Sequence, residues 1–219
     1  MILFFDLDGP ILDVSPRYFV LHRELLAKHG VKPLDDAAYW AAKRARRSEE
    51  AILAEIGASH LAAEYVDMRL SVIETAAFLR HDRVWPWAIP CLTALEERCP
   101  LVMVTARSDR TALLGQLDAR DLRKHFDEIL SEPGGPRVDL QKAALINDYL
   151  RRHRRAASGS WMIGDTEADI DAGKHVGLRT VGVLSGIRDE VHLRRAEPDL
   201  LLPNIADLPN LLTLPPSNS

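Results

Sequence analysis

Apolar residues along this chain follow two different rhythms. Ile2-Leu3-Phe4-Phe5 is an unbroken apolar run that stops at Asp6-Leu7-Asp8-Gly9-Pro10. Such a run, broken at once by Asp and Gly, predicts a buried parallel-type strand whose carboxyl end turns into a tight loop. From residue 16 to about 83 no strand pattern appears, and apolar positions recur at helical spacing. Tyr18, Leu21, Leu25 and Leu26 mark one helix, entered through Ser15-Pro16 with Ser as the cap and left at Gly30. Ala51, Ile52, Ala54 and Ile56 belong to a second or third, and Val66, Leu70, Ile73 and Phe78 to one long helix over residues 65–79. The two prolines of Trp85-Pro86-Trp87-Ala88-Ile89-Pro90 predict a stiff, non-helical connector.

Beyond the connector the pattern alternates. A short helix over residues 91–98 precedes the strand Leu101-Val102-Met103-Val104, which ends in Thr105-Ala106-Arg107-Ser108-Asp109. A helix over residues 110–117 leads to the strand Glu128-Ile129-Leu130, a Gly/Pro loop over 133–136, and a helix carrying Lys142, Leu145, Ile146 and Tyr149. Trp161-Met162-Ile163 is a further strand, ending in Gly164-Asp165-Thr166-Glu167-Ala168-Asp169, and a helix from Ala168 stops near Gly177. Thr180-Val181-Gly182-Val183 follows, residues 198–201 form an edge strand, and residues 215–219 a frayed tail.

Strands alternating with helices imply an α/β fold, with a parallel sheet, right-handed crossovers and ligands beyond the strands' carboxyl ends. The helical stretch then divides the chain: residues 1–14 and 88–219 form the sheet-based unit, and residues 15–87 an inserted all-helical one. Asp6, Asp8, Thr105 and Asp165 all fall at carboxyl ends. In an extended segment residues i and i+2 face one way, so Asp6 and Asp8 share a crevice. Their repulsion is relieved by a divalent cation or a shared proton. A plain turn after a strand would also explain Asp-x-Asp-Gly. A calcium loop does not, because a third ligand before the Gly, a later Glu and a preceding helix are missing.

Composition narrows the partners. The 219 residues are 47% hydrophobic and carry a net charge of -4, which suits a globular protein and argues against a nucleic-acid-binding surface over the whole molecule. Cys91 and Cys99 are too few for a disulfide framework or zinc site and are expected as buried thiols in a reducing compartment. No apolar run approaches the ~18 residues of a membrane span, so a cytoplasmic protein is expected. Lys43-Arg44-Ala45-Arg46-Arg47 reads as a solvated helix face with at most one arginine turned inward, and Arg151 to Arg155 as the cationic end of a core helix. Taken singly, Thr105 could cap the next helix, Lys142 could be a solvated helix lysine, and Asp165 and Asp169 could be cap and surface residues.

The order Asp6-x-Asp8-Gly9, Thr105 after a strand, Lys142, then Gly164-Asp165-Thr166 with Asp169 resembles the haloacid dehalogenase-like hydrolase superfamily, in its helical-cap, phosphoglycolate phosphatase-like branch. The resemblance implies a doubly wound, Rossmann-like core with a helical cap inserted after the first motif. It implies Mg²⁺-dependent hydrolysis of a small phosphomonoester, with Asp6 attacking phosphorus to form an aspartyl-phosphate and Asp8 serving as acid and base. Asp6, the backbone carbonyl of Asp8, and Asp165 would hold Mg²⁺, with Asp169 supporting them. Thr105, Lys142 and backbone N–H groups near Gly9 and Ala106 would bind the phosphoryl group, and Arg17 an anionic substrate. An acid at position 8 looks like phosphatases and mutases rather than dehalogenases. Phosphoglucomutase-like transfer and a catalytically quiet scaffold are the alternatives. The partner expected is a small phosphorylated metabolite, without nucleic acid or membrane, for a monomer or homodimer.

Overall fold

Side chains alternate across the strand Leu3–Phe5 (β1), and both of its faces are apolar, so each needs a covering layer. In the computed structural model, which describes residues 1–212, that requirement is met on both sides. Leu3 and Phe5 pack with Leu101, Met103, Ile163, Val181 and Val183 under the helices Ala88–Glu96 (α6) and Arg110–Ala119 (α7). Ile2, Phe4, Val102, Val104 and Met162 face the opposite layer, where Ile146, Tyr149 and Leu150 come from the helix Val138–Arg152 (α8).

Six parallel strands form the sheet. They are β1, Leu101–Thr105 (β4), Glu128–Ser131 (β5), Trp161–Gly164 (β6), Arg179–Val183 (β7) and Leu200–Leu202 (β8), in the spatial order β5-β4-β1-β6-β7-β8. Register is fixed by Phe5 lying opposite Met103 on one side and Ile163 on the other. Strands after β1 lie first on one side of it and then on the other, so the topological switch opens a crevice at its carboxyl end. The helix Glu167–Val176 (α9) leaves β6 there and is stopped by Gly177 at φ +80°, a left-handed conformation that glycine adopts without strain.

The inserted helices are Ser15–Lys28 (α1), Asp36–Arg44 (α2), Glu49–Glu55 (α3), Ala62–Val72 (α4) and Ala76–Leu79 (α5). They bury a cluster of their own, with Leu21, Leu25, Leu26, Leu53, Leu61, Tyr65 and Phe78 at its centre. Two expectations fail here for local reasons. The long helix over 65–79 breaks at residues 73–75, where the Thr75 hydroxyl bonds back to the Val72 carbonyl and its backbone turns extended. Ser15 does not cap α1: it is already the first helical residue, behind Val14, and its N–H and hydroxyl donate to the Asp13 carboxylate at 3.0 and 2.7 Å.

The expected strandless stretch also ends differently. Leu12–Asp13 (β2) pairs antiparallel with Arg83–Val84 (β3), tying together the chain's departure from the sheet and its return. The connector expected to stay non-helical already enters α6 at Ala88, and Pro90 sits in the first turn, where a missing N–H costs nothing. Two short helices had no recognised pattern, Glu190–Arg195 (α10) and Leu208–Leu211 (α11). The tail expectation for residues 215–219 lies outside the described residues. Among the described residues, no helix is long and apolar enough to cross a membrane.

Candidate active site

The loop after β1 is built around Gly9, whose φ of +101° lets the chain turn back so that its N–H meets the Leu12 carbonyl. A Cβ there would collide with the Asp165 side chain, so the absence of one admits that carboxylate against the loop. The Trp85 indole and the Ser185 hydroxyl both donate to the Gly9 carbonyl at 2.9 Å, pinning the turn from two directions. Trp85 stacks on Trp87, a packing role for the pair. Opposite, Gly186 also leaves room for Asp165, whose Oδ2 accepts from the Ile187 N–H at 2.6 Å.

Asp6, Asp165 and Asp169 converge, with one oxygen from each lying within 4.8 Å of the others, and all three are buried. Burial is the main reason that the Asp6 carboxyl is pushed up to about 7, with Lys142 opposing and Asp169 and Asp8 reinforcing the shift. Asp165 is driven up in the same way, by burial first and then by Asp6 and Asp169. Carboxylates crowded and desolvated like this favour either protonation or a divalent cation with oxygen ligands. The donor set fits such an ion. Asp6 and Asp165 are the direct candidates, because both Asp169 oxygens are engaged.

Lys142 stands between two of these acids. From α8 its Nζ reaches Asp6 Oδ1 at 2.9 Å and Asp169 Oδ1 at 2.6 Å. Burial works against its charge, but the two carboxylates more than offset that and hold the ammonium above its ordinary range. Lys142 is therefore no solvated helix lysine. Asp169 in turn accepts from the Thr166 N–H at 3.0 Å and hydroxyl at 2.7 Å, so the start of α9 is locked to the lysine. Thr105 ends β4 facing the same cavity, and Asp109 caps α7 in its place by accepting from the Ala112 N–H at 2.9 Å.

Asp8 is placed apart from the acidic trio. Its carboxylate accepts from Arg107 at 2.6 and 3.1 Å and from Arg17 at 3.0 Å. Burial alone would raise it, but the two guanidinium groups win and bring it down to about 2. The side chain of Asp8 is thus taken up by arginines, and the atom expected from it at a metal site was its backbone carbonyl. Sequence reasoning placed Arg17 here and missed Arg107, Arg69 and Asp82. The signal for Arg107 was available: it follows Thr105 by two residues at a strand end, the same relation that joins Asp6 and Asp8. Asp82 carried no such signal.

These groups enclose a cavity of about 240 Å³ lined by Asp6, Asp8, Arg17, Arg69, Thr105 and Lys142, among others. Ala106 and Lys142 also border a second cavity of about 430 Å³, so Asp6, which lines both, sits between the two. The helical cap closes over them through Glu74, whose Oε2 accepts from the N–H groups of Ser108 and Asp109 at 2.9 Å and the Ser108 hydroxyl at 2.7 Å. Across the opening, Arg46 pairs with Glu167 at 3.4 Å but stays 63% exposed, so this contact is a surface link between cap and core.

The sequence model of the HAD-hydrolase-like family matches residues 141–208, the stretch from the part of α8 that carries Lys142 through α9 and past the last strand. A phosphoglycolate phosphatase of Synechococcus elongatus is 24% identical over 211 residues, covering 96% of each chain. The pyrophosphatase PpaX of Bacillus velezensis is 27% identical over 218 residues, covering 94% of this chain and 93% of its own. In fold, a haloacid dehalogenase-like family hydrolase from Streptococcus pneumoniae superposes with a TM-score of 0.74 at 22% identity, over 97% of this chain and 98% of its own. With a parallel sheet, a helical cap and carboxylates gathered at the first strand's end, the chain is similar over nearly its whole length to haloacid dehalogenase-like hydrolases, and its residues 141–208 match that family's model.

Proposed function

We propose that the protein is a Mg²⁺-dependent phosphatase that releases phosphate from a small phosphorylated metabolite in the cytoplasm. The observation that carries this reading is the position of Asp6: at the end of β1, beside Lys142 and Asp165, on the wall of both cavities. Relatives named as a phosphoglycolate phosphatase and a pyrophosphatase support a phosphate-releasing hydrolase. The catalytic unit in this reading is residues 1–14 with 88–219, and the cap is residues 15–87. Both crossings between them run beside the β2–β3 ribbon.

Asp6 attacks phosphorus, an Asp6 O–P bond forms and the ester P–O bond breaks. Asp8 gives a proton to the departing alkoxide, then takes one from the water that hydrolyses the aspartyl-phosphate. Thr105 and Lys142 bind the phosphoryl oxygens, with the backbone near Gly9 and Ala106 alongside. Asp6, Asp165 and the Asp8 carbonyl would hold Mg²⁺, supported by Asp169; the bound ion supplies positive charge against the phosphoryl oxygens. Asp8 is ionised while the two arginines hold it, so it must leave them and take up a proton from solvent before it can donate.

Asp6→Asn tests the reading. Release of phosphate from a panel of phosphorylated metabolites is expected to fall by at least ~10³-fold, with the thermal transition retained. Activity within about tenfold of the parent would refute Asp6 as the nucleophile.

A further inference from the structure

Five side chains form a network that the hydrolytic chemistry alone does not need. Asp82, buried at the cap's return to the core, holds Arg17 Nε at 3.2 Å and Arg107 Nη2 at 3.3 Å, and is itself fixed by the Gln116 amide at 2.7 Å. Arg17 belongs to the cap and Arg107 to the loop after β4, so one carboxylate positions a cap arginine against a core arginine. Asp8 is the outward member: its side chain is 27% exposed, while those of Arg17, Arg107 and Asp82 are 2%, 5% and 0% exposed.

Two donors on the same cavity have no acidic partner. Arg107 Nη1 is buried and makes no hydrogen bond. Arg69, projecting from α4 into the same space, makes no ion pair among the described residues. Glu74 also borders the cavity, but its Oε2 is taken by the donors of Ser108 and Asp109. When Asp8 swings away, Asp82 remains the sole carboxylate on Arg17 and Arg107, and three guanidinium groups then face a space with room for about eight waters.

We propose that Arg17, Arg69 and Arg107 form an exchange subsite, in which a second anionic group on the leaving part of the substrate takes the place of the Asp8 carboxylate. The inference rests on the phosphomonoester reading above and adds to it which substrates release Asp8. An anion, whether carboxylate or phosphate, satisfies the vacated donors and Arg107 Nη1 together; an uncharged leaving part offers too weak an acceptor to displace a carboxylate.

The test compares kcat/KM for a short phosphorylated hydroxy acid, its uncharged primary amide and a short diol bisphosphate, with an aryl phosphate as reference. The parent protein is expected to favour at least one of the two anionic esters over the amide by roughly 10- to 100-fold, the ester preferred showing whether carboxylate or phosphate fills the subsite. Arg107→Gln and Arg69→Gln should each lower the anionic ester more than the amide and move the ratio toward one. Arg69 is only partly buried and has no ion pair, so Arg69→Gln keeps the test valid if the buried change at Arg107 disturbs folding. A parent ratio near one, or variants that lower both esters by the same factor, would overturn the subsite while leaving the phosphatase intact. No phosphate from any of the four compounds, the aryl phosphate included, would overturn both.

Discussion

Replacing Lys142 with methionine removes the one cation among the described residues that touches both Asp6 and Asp169, at 2.9 and 2.6 Å, from a site where lysine and acids are all buried. Breaking a buried pair on one side costs about 3–5 kcal/mol, because the remaining charge has neither partner nor water. For a domain of this size that corresponds to a fall in Tm of about 6–20 °C. The loss depends on pH with a definite sign. Asp6, already pushed up to about 7, rises further without the ammonium, so near pH 5 it is protonated and the penalty shrinks; near pH 8 it is at its largest. Thermal unfolding followed by circular dichroism in EDTA at both pH values measures this. Saturating Mg²⁺ should then restore much of the loss at pH 8, since the ion supplies the missing positive charge. A Tm within about 2 °C of the parent at pH 8, or an equal loss at both pH values, would refute the electrostatic account of the site.

Three further expectations follow from the same geometry. In the metal-free protein, stability should fall as pH rises from about 4 to about 7, because folded Asp6 keeps a proton that the unfolded carboxyl, near 3.8, has already released. The full shift corresponds to about 4 kcal/mol, and Mg²⁺ should flatten the profile; denaturant titrations in EDTA showing stability rising over this range would contradict it. Gly186→Ala places a Cβ against the Asp165 carboxylate, so it should cost about 1–3 kcal/mol and weaken the Mg²⁺-induced rise in Tm; an undiminished rise would show that Asp165 is not a ligand. Glu74→Ala removes the bonds that hold the cap to residues 108–109, and KM should rise several-fold with Tm nearly unchanged; an unaltered KM would mean that this contact does not govern closure.

Local pattern alone determined the sheet. Four consecutive apolar residues before Asp6 cannot be solvated on either face, so they imply a strand covered on both sides, and Leu3/Phe5 against Ile2/Phe4 is that division realised. The carboxyl-end placement of Asp6, Thr105 and Asp165 followed from the same breaks in the apolar runs. Asp169 and Lys142 were legible as candidates, but their 2.6 Å pairing spans 27 residues and depends on how α8 packs beside α9.

What the sequence by itself could not determine is which charge meets which. Asp6 and Asp8 are equivalent in pattern, yet one is raised to about 7 among acids and the other lowered to about 2 between arginines. Asp82 shows the reason most plainly: a single acid in an unremarkable connector becomes the junction of Arg17, Arg107 and Gln116 once the cap folds back. Burial and the positions of the strands along the chain are written in neighbouring residues, because the hydrophobic effect acts on each segment's own surface. Electrostatic pairing is set by distances between segments far apart in the chain, which only the packed fold supplies.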